Sequence, residues 1–276
     1  LNFTAIPKVI FVEGEPEEFQ WPNCRLSVEI DTGCNLGFNT EINFAHCDQE
    51  NANWLKVLYG IYSIKVSGVD CRFKGGRIFS AAGYIDLSPN VKELVETSEI
   101  SNPLGFYGWG GGADFIFNNG WTLRTSITGP SGHTFDEEDC WRGTELAVFG
   151  QKIIGNGSIS AVSQTSLSDE NTSRFAIGCK WQLTDRFRCR SRLFYSDEDC
   201  QQFGGYAFFA GWLSKDLLEF HSQIDRMVQR EVDKETLWTN GFRVFFGKYF
   251  SLTIDYEAVL AVERNNRFLA RLQFRI

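Results

Sequence analysis

Apolar and polar residues alternate along most of this chain. They do so in segments of roughly ten residues that tight turns join in pairs, from near residue 24 to the last residue. The stretch from Arg174 to Tyr195 shows the pattern best. Phe175, Ile177, Cys179, Trp181 and Leu183 fall on one face, and Arg174, Lys180 and Gln182 on the other. Beyond Thr184-Asp185, Phe187, Cys189, Leu193 and Tyr195 point one way, and Arg186, Arg188, Arg190 and Arg192 the other. Side chains alternate across a strand, so the pattern specifies a sheet with two faces of opposite chemistry. Such a sheet suits a membrane barrel with a wet lumen better than a soluble sandwich.

Tight turns are predicted at Thr32-Gly33, Lys74-Gly75-Gly76, Asn118-Asn119-Gly120, Gly155-Asn156-Gly157, Thr184-Asp185, Ser214-Lys215-Asp216 and Gly247-Lys248, all of residue types that tolerate turn geometry. With a first strand over Phe3 to Val12 and a last over Arg267 to Ile276, the hairpins add up to about sixteen strands, within about two either way. The other connections are longer and more polar: Glu13 to Pro22, His46 to Asn53, Ser88 to Gly105, Gly129 to Gly143, Ser168 to Ser173, Ser196 to Phe203 and Gln229 to Thr239. Short turns on one side and long loops on the other are the asymmetry of an outer-membrane barrel. The rhythm has no break. The expectation is therefore one all-β domain over residues 1–276, a transmembrane antiparallel up-and-down β-barrel.

Composition bears on the choice of solvent. The 276 residues include 25 Phe, 8 Trp and 8 Tyr, yet the mean hydropathy is -0.22. No apolar run approaches the roughly 20 residues that a helix needs to cross a bilayer. A barrel hides its membrane signal, because only alternate residues touch lipid. Composition alone leaves a soluble all-β carbohydrate-binding module open, one that would stack sugars on exposed aromatics. The net charge of -8 and the pI near 5.1 argue against nucleic acid as a partner. The chain opens on Leu1, which is expected of a mature chain whose export signal has been removed, or of a trimmed one.

Eight cysteines form no CxxC pair and accompany only three histidines, so neither a metal nor any other cofactor is expected. Cys71, Cys179 and Cys189 fall inside strand segments as small apolar fillers. Cys24, Cys47, Cys140 and Cys200 fall near segment ends or in loops, where disulfides can form in an oxidising envelope; the pairing stays open.

Three constellations carry chemistry. The first is the ladder Arg186, Arg188, Arg190 and Arg192, four like charges on one strand face. In a water-filled channel such a row sets up a field that orients polar and anionic solutes. Neighbouring strands add Arg174 and Lys180 on one side and Glu219, His221 and Asp225 on the other, and the last strand adds Arg267 and Arg271. All are candidate pore-lining residues. The second is the loop Ser88 to Gly105 after the fifth strand, which could fold inward and bring Glu93, Glu96 and Glu99 opposite the basic wall as a constriction. The third, the acidic run Asp136 to Asp139, lacks the spacing of a calcium loop and reads as a solvated surface. Trp181, Tyr195, Trp212 and Tyr249 are expected in aromatic girdles at the membrane interfaces. No enzyme is expected. His221 and Ser222 are strand neighbours that point to opposite faces, so they cannot act as base and nucleophile.

Two stretches resemble a known family. One begins at Leu58 with "LYGIYSIKVSGVDCRFKGGRIFSAAGYIDLSPNVKELVE" and runs through "NPLGFYGWGGGADFIFNN" to "GWTLRTSITGPSG". It resembles the OprB-type carbohydrate-selective outer-membrane porins and their cyanobacterial relatives. There a strand pair ends in G-x-[IL]-D, as at Gly83 to Asp86, and leads through a long loop, here Ser88 to Gly105. A Gly-rich strand follows, Gly108 to Phe117, and then a W-x-L strand, Trp121 to Leu123. The other stretch is the C-terminal "GFRVFFGKYFSLTIDYEAVLAVERNNRFLARLQFRI", similar to the closing hairpin and final strand of that family. The resemblance implies a sixteen-stranded porin in lipid of the bacterial outer membrane, a homotrimer, passing sugars or other small hydrophilic solutes by diffusion. The chain departs from the family in its shorter length, its final Ile276 and its many cysteines. The cysteines are similar to those of chlamydial envelopes, where an OprB-like porin is associated with arginine uptake, and this makes a cationic amino acid an alternative solute. A mitochondrial or plastid outer-membrane porin is the alternative family, on the likeness of the last ten residues.

Overall fold

A computed structural model describes residues 2–12, 18–32, 35–43, 55–81, 107–129, 144–167, 173–197, 202–229, 235–247, 250–259 and 267–275. Among them are sixteen strands: β1 (Asn2–Val12), β2 (Glu18–Asp31), β3 (Leu36–Asn43), β4 (Leu55–Val66), β5 (Val69–Phe79), β6 (Tyr107–Phe117), β7 (Trp121–Thr128), β8 (Glu145–Ile154), β9 (Gly157–Ser166), β10 (Ser173–Gln182), β11 (Phe187–Ser196), β12 (Gln202–Ser214), β13 (Leu218–Gln229), β14 (Glu235–Phe246), β15 (Phe250–Val259) and β16 (Arg267–Arg275). Every strand pairs antiparallel with its sequence neighbours, and β1 pairs with β16, so the sheet closes into one barrel. Thr4 lies opposite Arg275 and Val12 opposite Arg267. The first strand therefore completes the wall. A single closed sheet replaces the two packed sheets that a soluble sandwich requires.

The faces are inverted relative to a soluble protein. Phe175, Ile177, Leu193, Ile224, Trp238, Phe242 and Ile254 are exposed on the outside, Leu193 and Phe242 by 53% of their surface. Their strand neighbours Arg192, Glu219, Asp225, Arg243 and Asp255 are buried inside, each at 1% or less. Water outside would oppose this arrangement; hydrocarbon outside favours it, since exposed apolar groups then lose nothing to solvent. Among the described residues no helix is long and apolar enough to cross a membrane, and that test says nothing about strands.

Four of the predicted turns, Asn118-Asn119-Gly120, Gly155-Asn156-Gly157, Thr184-Asp185 and Ser214-Lys215-Asp216, lie where expected; Gly33 and Lys248, in two others, lie outside the described residues, and Lys74-Gly75-Gly76 is not a turn. These residues continue β5, with Gly75 opposite Gly60 and Gly111, and Gly76 opposite Tyr59 and Gly110. The turn before β5 is Ser67-Gly68, with φ of 49° and 83°. Two successive positive φ values match the twist of a two-residue hairpin. Gly76 has a different task. At φ 131° it lets β5 pass close to β4, where a Cβ would lie 2.3 Å from the Leu58 carbonyl oxygen. Two smaller differences concern side chains expected elsewhere. Trp212 packs on Phe245 at 5.1 Å and pairs with the inward Glu219, so it belongs to the inner wall and not to a girdle. Cys24 falls within β2, while Cys47, Cys140, Cys200 and Tyr249 lie outside the described residues. Cys71, Cys179 and Cys189 are free thiols on strands, half-buried as expected of fillers.

Candidate functional site on the inner wall

The inner face of β11 carries Arg188, Arg190 and Arg192, and each lies opposite an inward residue of β12: Ala210, Phe208 and Tyr206. The two aromatic partners hold their guanidinium groups by the ring face. Arg190 lies 5.9 Å from the Phe208 centroid, and Arg192 lies 5.3 Å from Tyr206 and 5.9 Å from Phe194. Arg stacks on aromatic faces through its planar, weakly hydrated cation, an arrangement that desolvation strengthens. Opposite Arg188 the partner is only a methyl group. The guanidinium crosses it and pairs with Glu219 of β13, Nη1 to Oε2 at 2.5 Å. The other Glu219 oxygen lies 4.0 Å from Arg243 of β14, whose Nε donates to Thr253 Oγ1 of β15 at 3.1 Å.

A second crossing follows the same rule. His221 of β13 and Asp255 of β15 both lie opposite Gly241 of β14. His221 Nε2 meets Asp255 Oδ1 at 2.6 Å above this glycine, with both side chains fully buried. A Cβ at Gly241 would sit 2.0 Å from that carboxylate oxygen and 2.5 Å from that ring nitrogen. The glycine is the gap through which the bridge passes. Small residues at inner-wall positions thus let charged groups reach the second strand over. Beside them Gln223 donates to Asp225 at 2.7 Å.

The remaining predicted residues are distributed around this wall. Arg174 approaches Glu145 at 3.7 Å, and Gln164 donates to the other oxygen of that carboxylate at 2.7 Å. Lys180 is exposed and lies opposite Arg190 on the neighbouring strand. Like charges in register repel, which water in a lumen screens better than a packed core. Arg186 differs from its ladder mates. It sits exposed in the turn before β11, at the rim rather than on the wall. Arg267 and Arg271 pair with Glu257 and Thr253, in register with inner-face positions of β15, and their side chains lie outside the described residues. Glu93, Glu96 and Glu99 also lie outside the described residues, as does the acidic run Asp136 to Asp139.

What the structure does show of the long connection is its beginning. After β5, Ser80 and Ala81 are buried inside the barrel; the Ala81 amide donates to Ser126 Oγ of β7 at 2.9 Å. Ala81 also joins an apolar cluster with Ala147, Phe149, Val162, Ala176 and Phe194, inner-wall residues of β8 to β11. The chain therefore turns inward as it leaves β5.

Sequence reasoning missed part of the wall. Lys74 pairs with Asp114 at 2.6 Å and lies 5.9 Å from the Tyr59 ring, and Arg124 lies 5.9 Å from the Phe149 ring. Lys74 was hidden by the mistaken turn. Arg243, Asp255 and Glu257 show the same alternation as the arginine ladder but as isolated charges, with no run to draw attention.

No protein-family model and no curated protein matches the chain. Solved structures do match. OmpF of Salmonella typhi in complex with daunomycin superposes with a TM-score of 0.73 at 9% identity, over 100% of this chain and 96% of that one. A loop-deletion variant of OmpT, an outer membrane protein of Vibrio cholerae, gives 0.72 at 9% identity, over 100% and 98%. A mutant of the Rh. blastica porin gives 0.70 at 12% identity, over 100% and 99%. The fold is that of the outer-membrane porins. At these identities the likeness is one of architecture, and the inner wall of this chain is its own.

Proposed function

We propose that the protein is a passive channel of the bacterial outer membrane for small hydrophilic solutes. One observation carries this reading: a sixteen-stranded closed barrel with an apolar outer face, a charged inner face and a connection that turns inward after β5. Barrels of sixteen to eighteen strands are wide enough to enclose water. The likeness to outer-membrane proteins supports the location, and the trimer form of OmpT from Vibrio cholerae, one of the similar structures, supports a homotrimer.

The inner wall supports roles for the residues that line it. Arg188, Arg190 and Arg192, with Lys180 and Arg174 beside them, form the basic flank. Glu219, Asp225 and Asp255 form the acidic flank two strands or more away. The loop after Ala81, with Glu93, Glu96 and Glu99, sets the constriction. Sugars are the proposed solute class, supported by the sequence resemblance to carbohydrate-selective porins. Arginine is the alternative, supported by the acidic flank.

Planar-bilayer recording tests the channel, with stepwise conductance as the expected result and silence at every voltage as the refuting one. Liposome swelling separates the solutes. Faster swelling in small sugars than in arginine of similar size supports the first class, and the reverse order supports the second.

A further inference from the structure

Among the described residues, the outer face carries an apolar depression with a cation beside it. It lies at the short-turn end of β6, β7 and β8 and is lined by Phe117, Asn119, Trp121, Thr122, Leu123 and Gly150, with a volume of about 360 Å³. That is within the range of ~300–1,000 Å³ typical of small-molecule sites. Its floor is Gly150, opposite Leu123, and a Cβ there would meet nothing within 4 Å. Its rim is charged. Lys152, two residues along the same strand face, folds its ammonium over the Trp121 ring at 5.4 Å and donates to the Asn119 carbonyl oxygen at 2.5 Å.

The turn that holds this cation is tied by three hydrogen bonds. The Gly120 amide donates to Phe117 O at 3.1 Å, the Ile153 amide to Gly120 O at 2.9 Å, and the Trp121 amide to Asn119 Oδ1 at 3.2 Å. An ammonium has three N–H donors, and the Asn119 carbonyl takes one. Lys152 and Trp121 lie at the short-turn end of the wall, the height where strands leave the bilayer and where lysine and tryptophan meet lipid headgroups.

We propose that this groove holds one anionic phospholipid of the adjoining leaflet, with an acyl chain over Gly150 and the headgroup phosphate on Lys152. Charge complementarity selects the occupant: an apolar trough ending in a fixed cation matches an acyl chain ending in a phosphate with no compensating amine. A site for a soluble ligand would place its cation toward water and would not require a trough open to hydrocarbon. The proposal rests on the membrane reading above.

The test is native mass spectrometry of the full chain. The protein is reconstituted in vesicles of phosphatidylcholine with phosphatidylglycerol and then released into mild detergent. The expected result is one retained phospholipid, phosphatidylglycerol favoured over phosphatidylcholine by about fivefold, the weight of one lysine at a membrane surface. Lys152→Gln should abolish that preference while leaving some lipid bound. Gly150→Leu fills the floor and should remove retention of both lipids. Equal retention of the two lipids by the native protein overturns the proposal, as does unchanged retention in Gly150→Leu. Heat-modifiable migration shows that each variant is folded. Should Gly150→Leu fail to fold, Leu123→Ala, which removes a wall instead, must lower retention or the site is refuted. Conductance is recorded on the same samples, so a silent but lipid-binding barrel would count against the channel alone.

Discussion

Two small residues decide how the inner wall is wired. Ala210 lets Arg188 reach Glu219, and Gly241 lets His221 reach Asp255. Gly241→Ala should therefore break the His221–Asp255 bridge and leave buried polar groups without partners, lowering stability by about 1–3 kcal/mol. Urea unfolding in lipid vesicles, followed by tryptophan fluorescence, measures this. Gly60→Ala is the control: a Cβ there meets nothing within 4 Å, and its effect should stay within about 0.5 kcal/mol. The basic flank makes an electrical prediction. Replacing Arg188 and Arg190 with Glu puts new carboxylates beside Glu219 and Phe208 and should shift the reversal potential in a salt gradient toward cation selectivity. An unchanged potential would show that ions do not pass along β11.

Strand alternation is what separates the two solvents. On β11, Leu193 lies outside at 53% exposure, and Arg192 and Phe194 lie inside at 1%. Leu193→Arg should thus destabilise the barrel by up to about 2–4 kcal/mol, the cost of a cation on the lipid face, which falls toward the interfaces. Lys180→Glu, on the inner face opposite Arg190, should change stability much less. Chemical denaturation in vesicles compares the two, and equal effects would mean that the outer face does not contact hydrocarbon. The hairpins were legible for the same local reasons. Turns such as Asn118-Asn119-Gly120 contain residues suited to positive φ, with Gly120 at 83°. The Lys74-Gly75-Gly76 reading failed because glycine permits a turn without compelling one, and here it serves close strand packing. Trp212 was misplaced because it was assigned by its position near a strand end, whereas its face, shared along β12 with Tyr206, Phe208 and Ala210, turns it inward beside Phe245.

The whole molecule adds closure. Sixteen antiparallel strands leave no free edge only because β1 meets β16, a pairing between the two ends of the chain. Closure turns a two-faced sheet into a compartment, which is why stepwise conductance is the decisive measurement for the channel. It also brings together partners far apart in sequence: Lys74 with Asp114, Arg188 with Glu219, Ala81 with Ser126.

The sequence by itself determined the all-β class, the strand number, the polarity of each face and most of the turns. These follow from two-residue alternation and from local backbone preferences, both of which can be read within one strand or one hairpin. Only the tertiary structure decided that the ends join, that the chain after β5 turns inward, that Arg186 stays at the rim, and which charges bridge over Ala210 and Gly241. Those outcomes depend on register and on the space between strands, and neither is written in any single segment.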